Sequence, residues 1–175
     1  MELGHSVSGI QKLCIELATA IHANYHVAAT VSGKGRPTLY VDFDEHFEDT
    51  LSTKSIELAV NFRLLLDRAS GYMLDDPADL PTTCIEMLEG HGRRTLRECA
   101  NKLIHADHLT FSYAVYHSTY EGTEPFRNPV KESSVELNGF LGGKRWRCKI
   151  DLLKFAEEVY ERSWDLRETL AGLIR

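Results

Sequence analysis

The sequence predicts an α+β protein that is mainly α, organised as a single domain over residues 1–175. It is expected to be a helical bundle with a C-terminal β-hairpin packed before the last helix. Three observations carry this reading. Apolar residues recur at spacings of three and four along the first seventy residues, the signature of helices with one buried stripe. The stretch "SSVELNGFLGGKRWRCKIDL" alternates apolar and polar residues on both sides of Gly142-Gly143, the signature of a half-buried hairpin. The residues after Asp151 return to helical spacing. A chain of 175 residues can bury a sizeable core within one domain.

Each element follows from local chemistry. "GIQKLCIELATAIHANYHVAATV" is a long amphipathic helix, with Ile10, Leu13, Cys14, Leu17, Ile21 and Tyr25 on its apolar side. "SGKGRP" ends it with two glycines and a proline. "TLYVDF" alternates briefly and predicts a short strand or an extended linker. The next helix is expected to start near "DTLSTKS", where Ser52 or Thr53 can cap it, and to run through "IELAVNFRLLLDRAS" to Gly71. "MLDDPADLPTT" reads as a loop, and "TTCIEMLEG" is compatible with a separate turn of helix. A further helix is expected from about Thr95 to about Ala106. "LTFSYAVYHSTYE" is aromatic and β-branched and predicts a strand, and "GTEPFRNP" a loop.

The hairpin admits one register. A two-residue turn at Gly142-Gly143 sets Leu141 against Lys144, Gly139 against Trp146, Leu137 against Cys148 and Val135 against Ile150. The last three pairs share one apolar face. Phe140 then meets Arg145, Asn138 meets Arg147 and Glu136 meets Lys149 on the other face. Asp151 can cap the final helix, whose apolar side is expected to comprise Leu152, Phe155, Val159, Trp164, Leu166 and Leu170.

A formal net charge of −6 argues against a generally basic nucleic-acid binder, although not against a local patch. Cys14, Cys84, Cys99 and Cys148 form no C-x-x-C pair and sit in apolar surroundings. That pattern suits buried thiols in a reducing compartment rather than a disulfide frame or a zinc knuckle. No apolar run reaches bilayer length, and "MELGHSVSGIQKLC" lacks a basic segment followed by an apolar one. The expectation is a cytoplasmic protein without a membrane partner or a cofactor.

The chemistry concentrates in "RECANKLIHADH", residues 97–108. Helical residues four apart lie about 40° apart around the axis and about 6 Å along it, so Arg97, Asn101 and His105 form a ladder. Leu96, Ala100, Leu103 and Ile104, with Cys99 nearby, supply the buried side. "LRECANKLIHADH" resembles the motif helix of HEPN-type domains, helical bundles that include many RNases of toxin and antiviral systems. It is also similar to bacterial proteins carrying a "CNKIIHA"-like helix followed by a hairpin and a last helix, a likeness that covers roughly the C-terminal half. The resemblance implies a HEPN-like bundle, a homodimer and RNA as a partner. It places the motif's Asn and His at Asn101 and His105. The Arg expected directly before the Asn is replaced by Ala100, and the nearest substitute, Arg97, lies about 80° and about 12 Å from His105 along the helix.

Metal-free RNA cleavage needs a base, an acid and a cation, roles suited to His and Arg. With Ala100 in the cation's place, the expected function is a non-catalytic accessory or interaction domain with a degenerate nuclease motif. The alternative is a metal-independent RNase using His105, Asn101 and Arg97. A third reading is a small metalloprotein using His22 and His26, which have metal-capable spacing; the glutamate of an H-E-x-x-H motif is absent, position 23 being Ala, and His105, Asp107 and His108 are further candidate donors. Arg93 and Arg94 precede the motif helix and are weak candidates for holding a phosphate at its amino end. "KRWRCK" resembles a basic patch, but the register turns Trp146 to the apolar face, away from Arg145 and Arg147.

Overall fold

A computed structural model describes residues 3–30, 38–70, 79, 81–118 and 126–173. The elements run α1 (Leu3–Thr30), α2 (Thr38–Ala69), β1 (Ile85–Glu89), α3 (Leu96–Ile104), β2 (His108–Ser118), β3 (Phe126–Leu141), β4 (Lys144–Asp151) and α4 (Leu152–Leu173). The class is α+β. The β part is larger than one hairpin: four antiparallel strands form a sheet in the order β1-β4-β3-β2.

The β3–β4 hairpin has the register derived from the Gly-Gly turn, pair for pair from Leu141↔Lys144 to Val135↔Ile150. Gly142 and Gly143 take φ values of 57° and 76°, the left-handed region required at both centres of a primed turn. Val135, Leu137, Trp146, Cys148 and Ile150 are buried, and together with Ile85 and Phe111 they form the face against which the helices pack. The opposite face carries Glu136, Asn138, Arg147 and Lys149, half-exposed. Arg147 Nε lies 3.1 Å from Glu136 Oε1, an ion pair between two part-exposed side chains.

Several sequence expectations change. "TLYVDF" is the first part of α2, neither strand nor linker. A helix whose stripe of Phe47, Leu51, Leu58, Phe62, Leu65 and Leu66 is buried extends by one hydrogen bond per residue, and six residues of modest β-propensity do not halt it. For the same reason no helix starts at Ser52 or Thr53. Both lie inside α2, and Ser52 O accepts from Ser55 Oγ at 3.0 Å. Gly71 lies outside the described residues.

"TTCIEMLEG" contains β1, which pairs with β4 through Ile85↔Ile150 and Met87↔Cys148. Its partner is remote in sequence, so no local pattern announces it. Of the expected loop "GTEPFRNP", residues 126–129 belong to β3 and pair with the end of β2. The expected strand is present as β2 over residues 109–118; residues 119–121 lie outside the described residues.

α1 buries Val7, Ile10, Cys14, Leu17, Ile21 and Asn24, a stripe that excludes the exposed Tyr25. Asn24 joins it because Nδ2 donates to Lys131 O of β3 at 2.8 Å, which satisfies a buried amide. α4 starts at the expected cap: Asp151 Oδ1 accepts from Leu153 N at 3.1 Å and Lys154 N at 3.3 Å. Its buried stripe is Leu152, Phe155, Ala156, Val159, Ser163 and Leu166. Trp164 is 42% exposed and lies under Arg167, so Ser163 takes the inward place assigned to it; Ser163 Oγ donates to Tyr160 O at 2.7 Å. The side chain of Leu170 lies outside the described residues. α1 packs against α2 and α4, and α3 fits between α2 and the sheet side of α4.

Gly139 is the tightest point of the sheet. A Cβ there would stand 2.6 Å from Trp146 Cζ2 and 3.0 Å from His105 O. Gly139→Ala is therefore expected to cost about 1–3 kcal/mol, the usual range for overpacking, and to displace the Trp146 ring. Chemical denaturation gives the first and tryptophan fluorescence the second, with Trp164→Phe as background. Wild-type stability together with an unshifted spectrum would contradict the close approach.

Candidate functional site

α3 is short, and both of its ends are fixed. Thr95 is the amino cap in extended backbone (φ −129°, ψ 159°), and its side chain accepts from Glu98 N at 3.2 Å. His105 is the carboxyl cap (φ −110°, ψ 16°), with its N–H donating to Asn101 O at 3.0 Å. The chain turns at once into β2, where Asp107 N donates to Asn138 O at 2.9 Å. The sharp amphipathic division of α3 sets the phase: Leu96, Cys99, Ala100 and Leu103 are buried, Asn101 is half-buried and His105 is exposed.

The outer side of α3 opens onto a cleft of about 500 Å³ lined by Arg63, Glu98, Asn101, Lys102, His105, Phe140, Leu141 and Trp146. Three layers of structure meet there. α2 contributes Arg63, α3 the polar floor, and the tip of the hairpin the apolar lip. Phe140 and Leu141 are 65% and 71% exposed, unusual for large apolar side chains that have a buried face available.

Lys102 is the most deeply buried charge in the cleft. Its Nζ lies 4.2 Å from the centre of the Trp146 ring and 3.3 Å from Glu98 Oε1. A buried ammonium needs this kind of double compensation, and Glu98 at i−4 also suits the positive end of α3. Arg63 reaches Asp67 at 3.4 Å through Nη2, while its Nη1 is buried without a hydrogen-bond partner among the described residues. Neither Asn101 nor His105 uses its side chain in a hydrogen bond with another described residue.

Of the sequence candidates, Asn101 and His105 share the cleft. Arg97 does not line it. Its guanidinium turns to the α2 side, 3.1 Å from Asp67 Oδ1 and 3.9 Å from Asp79 Oδ1. Ala100 is fully buried, so a cation at that position would enter the core and not the cleft. Arg63 is the cleft residue that sequence reasoning missed. The only hint was one cation inside the apolar run "NFRLLL", and nothing in spacing connects it to residues forty places later.

Arg93 and Arg94 are exposed in the turn before α3. The amino end that they precede is already served by Thr95 and Glu98, which leaves two solvated guanidiniums as the anion-binding elements. His22 and His26 are exposed on α1 beside a shallow groove with Ile15, Ala18, Thr19 and Ala23. Among the described residues, no group of three or more His, Cys, Asp or Glu side chains is placed to hold a metal ion. Also among the described residues, no helix is long and apolar enough to cross a membrane.

Comparison with family models, with curated proteins and with solved structures gives no match.

The Lys102–Glu98 pair yields a direct expectation. Glu98→Gln removes the anion beside a buried ammonium and should destabilise the fold by about 1–3 kcal/mol. Because Lys102 is shielded, the loss should be nearly independent of ionic strength, unlike that of an exposed pair. Urea titrations in low and high salt measure both; a loss that vanishes in high salt would show the pair to be solvated.

Proposed function

We propose that the chain is a HEPN-like interaction domain without catalytic activity, whose ligand-contacting surface is the cleft between α3 and the hairpin tip. One observation carries this reading. His105 is the one imidazole lining the cleft, and the charged groups around it are committed to one another. Glu98 is held by Lys102 and Arg63 is drawn to Asp67. Metal-free cleavage of RNA asks for a proton acceptor, a proton donor and a cation free to follow the developing charge. A cleft with one imidazole, an amide and an apolar lip is better equipped to hold a ligand than to transform it. Phe140 and Leu141 supply contact area, and Asn101 and His105 supply directional polar contacts.

A second reading has its own support. Arg63 brings a guanidinium with an unpartnered buried nitrogen to the cleft that holds Asn101 and His105. In a metal-independent RNase of this architecture, Arg63 takes the cation role in place of Arg97, His105 moves the proton and Asn101 orients the phosphate. A cation is then present without one from a second copy of the chain.

One experiment separates the two readings. Purified protein is incubated with single-stranded RNA in excess chelator, alongside Arg63→Ala, Arg97→Ala and His105→Ala. The interaction-domain reading expects no cleavage above buffer for any of the four. Chelator-resistant cleavage lost by at least a hundredfold in Arg63→Ala and His105→Ala, yet retained in Arg97→Ala, establishes the RNase and overturns the first reading.

A further inference from the structure

Two of the four free thiols meet in the core. Cys84 stands immediately before β1 and Cys99 lies in the first turns of α3, and their Sγ atoms are 3.1 Å apart. Cys84 is 2% exposed and Cys99 is fully buried. The separation exceeds a disulfide bond by about 1 Å, a distance that small side-chain rotations can close.

The two sulfurs are chemically unequal. Thr82 Oγ1 donates to Cys84 Sγ at 3.1 Å, and Cys84 N in turn donates to Thr82 Oγ1 at 3.1 Å, which fixes the hydroxyl. The Cys99 sulfur is within hydrogen-bonding distance of the same sulfur, at 3.1 Å. The hydrogen bond from Cys99 outweighs burial and lowers the Cys84 thiol below its usual range. Burial, with Cys84 beside it, drives Cys99 upward. Cys14 and Cys148 are pushed up to about 12 by burial and serve as inert internal references.

We propose that Cys84 and Cys99 form a reversible disulfide when the protein meets a peroxide, locking the motif helix α3 to the start of β1. The Cys84 thiolate attacks one peroxide oxygen. The O–O bond breaks, hydroxide leaves, and Cys84 becomes a sulfenic acid. The Cys99 sulfur then attacks the Cys84 sulfur. The S–S bond forms, the S–O bond breaks, and the departing hydroxide takes the Cys99 proton as water. Two thiols are oxidised and one hydrogen peroxide is reduced to two waters.

The consequence reaches the cleft through α3. Cys99 projects into the core on roughly the opposite side of the helix from Asn101, about 200° away. Fixing Cys99 to the strand fixes the orientation of Asn101, Lys102 and His105. The bond also closes a loop between positions 84 and 99, which constrains the unfolded chain. The inference does not depend on whether the cleft binds or cleaves.

The test treats native protein with hydrogen peroxide, quenches, unfolds, alkylates with N-ethylmaleimide and maps the peptides, with and without dithiothreitol. Two adducts are expected after peroxide, on Cys14 and Cys148, with the Cys84 and Cys99 peptides joined. Four are expected after reduction, and the oxidised form should melt roughly 6–12 °C higher. Four adducts after peroxide, a bond that involves Cys148, or Cys84 oxidised further without a cross-link would overturn the proposal. Thr82→Val keeps both thiols and should slow cross-linking several-fold; an unchanged rate would count against Cys84 as the attacking sulfur. Cys84→Ala leaves Cys99 buried without its partner and should give neither a cross-link nor a dimedone adduct at Cys99; a Cys99 sulfenic acid in that folded variant would show that Cys84 is not the attacking sulfur.

Discussion

The register of the β3–β4 hairpin is the constraint on which the rest of the site depends. Two consecutive residues in left-handed conformation close the turn, and only glycine takes both without strain. That turn fixes Gly139 opposite Trp146. The missing side chain at Gly139 lets the indole lie flat across the strand and lets the His105 carbonyl come down on the same spot. The indole face then supports Lys102, and Lys102 holds Glu98. A slip of one residue would turn Trp146 out to solvent and leave a buried ammonium over nothing. Strand pairing thus sets the electrostatics of a helix.

α3 shows how a short helix serves two environments. Nine residues cannot form a stable helix alone, so its existence rests on the cap at Thr95 and on burying Leu96, Cys99, Ala100 and Leu103. Those four residues consume one side of the helix completely. The other side carries Asn101 and His105, the polar groups that face the cleft, and position 100, where the motif resemblance expects a cation, falls on the inner side. The one cation that α3 itself brings to the cleft, Lys102, is held by Glu98, and α2 adds Arg63.

The parts of the fold that are legible in the sequence are those governed by short-range rules. The hairpin register follows from one Gly-Gly pair and the alternation around it. The caps Thr95 and Asp151, and the stripes of α1 and α4, follow from local chemistry and period. What escapes is set by partners remote in the chain. β1 is a five-residue strand whose existence is owed to β4, and residues 126–129 are strand because β2 is beside them. "TLYVDF" has a strand's composition, but it is continuous with a long helix, which absorbs it. Trp164 shows the limit of periodicity: the helical count allows either Trp164 or Ser163 inside, and the neighbouring helices admit only the smaller side chain. Asn101 and His105 were legible as a pair because one helix carries both. Arg63 was not, because only tertiary packing joins it to them.

Asp67 connects the two cations that bear on the function. Its Oδ1 lies 3.4 Å from Arg63 Nη2 and 3.1 Å from Arg97 Nη1, so one carboxylate oxygen is shared between a guanidinium in the cleft and one outside it. A carboxylate with two cationic neighbours cannot neutralise both, and half-exposure screens each attraction further. Arg97 has a second anion within reach in Asp79. For Arg63 the balance is less complete: Nη2 has a share of Asp67, and the buried Nη1 has no hydrogen-bond partner among the described residues. Unsatisfied hydrogen-bonding capacity on a part-buried cation is costly, and because Arg63 lines the cleft, an anionic or carbonyl-bearing ligand there can draw the guanidinium round to it. The stored asymmetry therefore favours occupancy of the cleft. It resides in the α2 arginine that shares its counter-ion, not in the α3 arginine that has two.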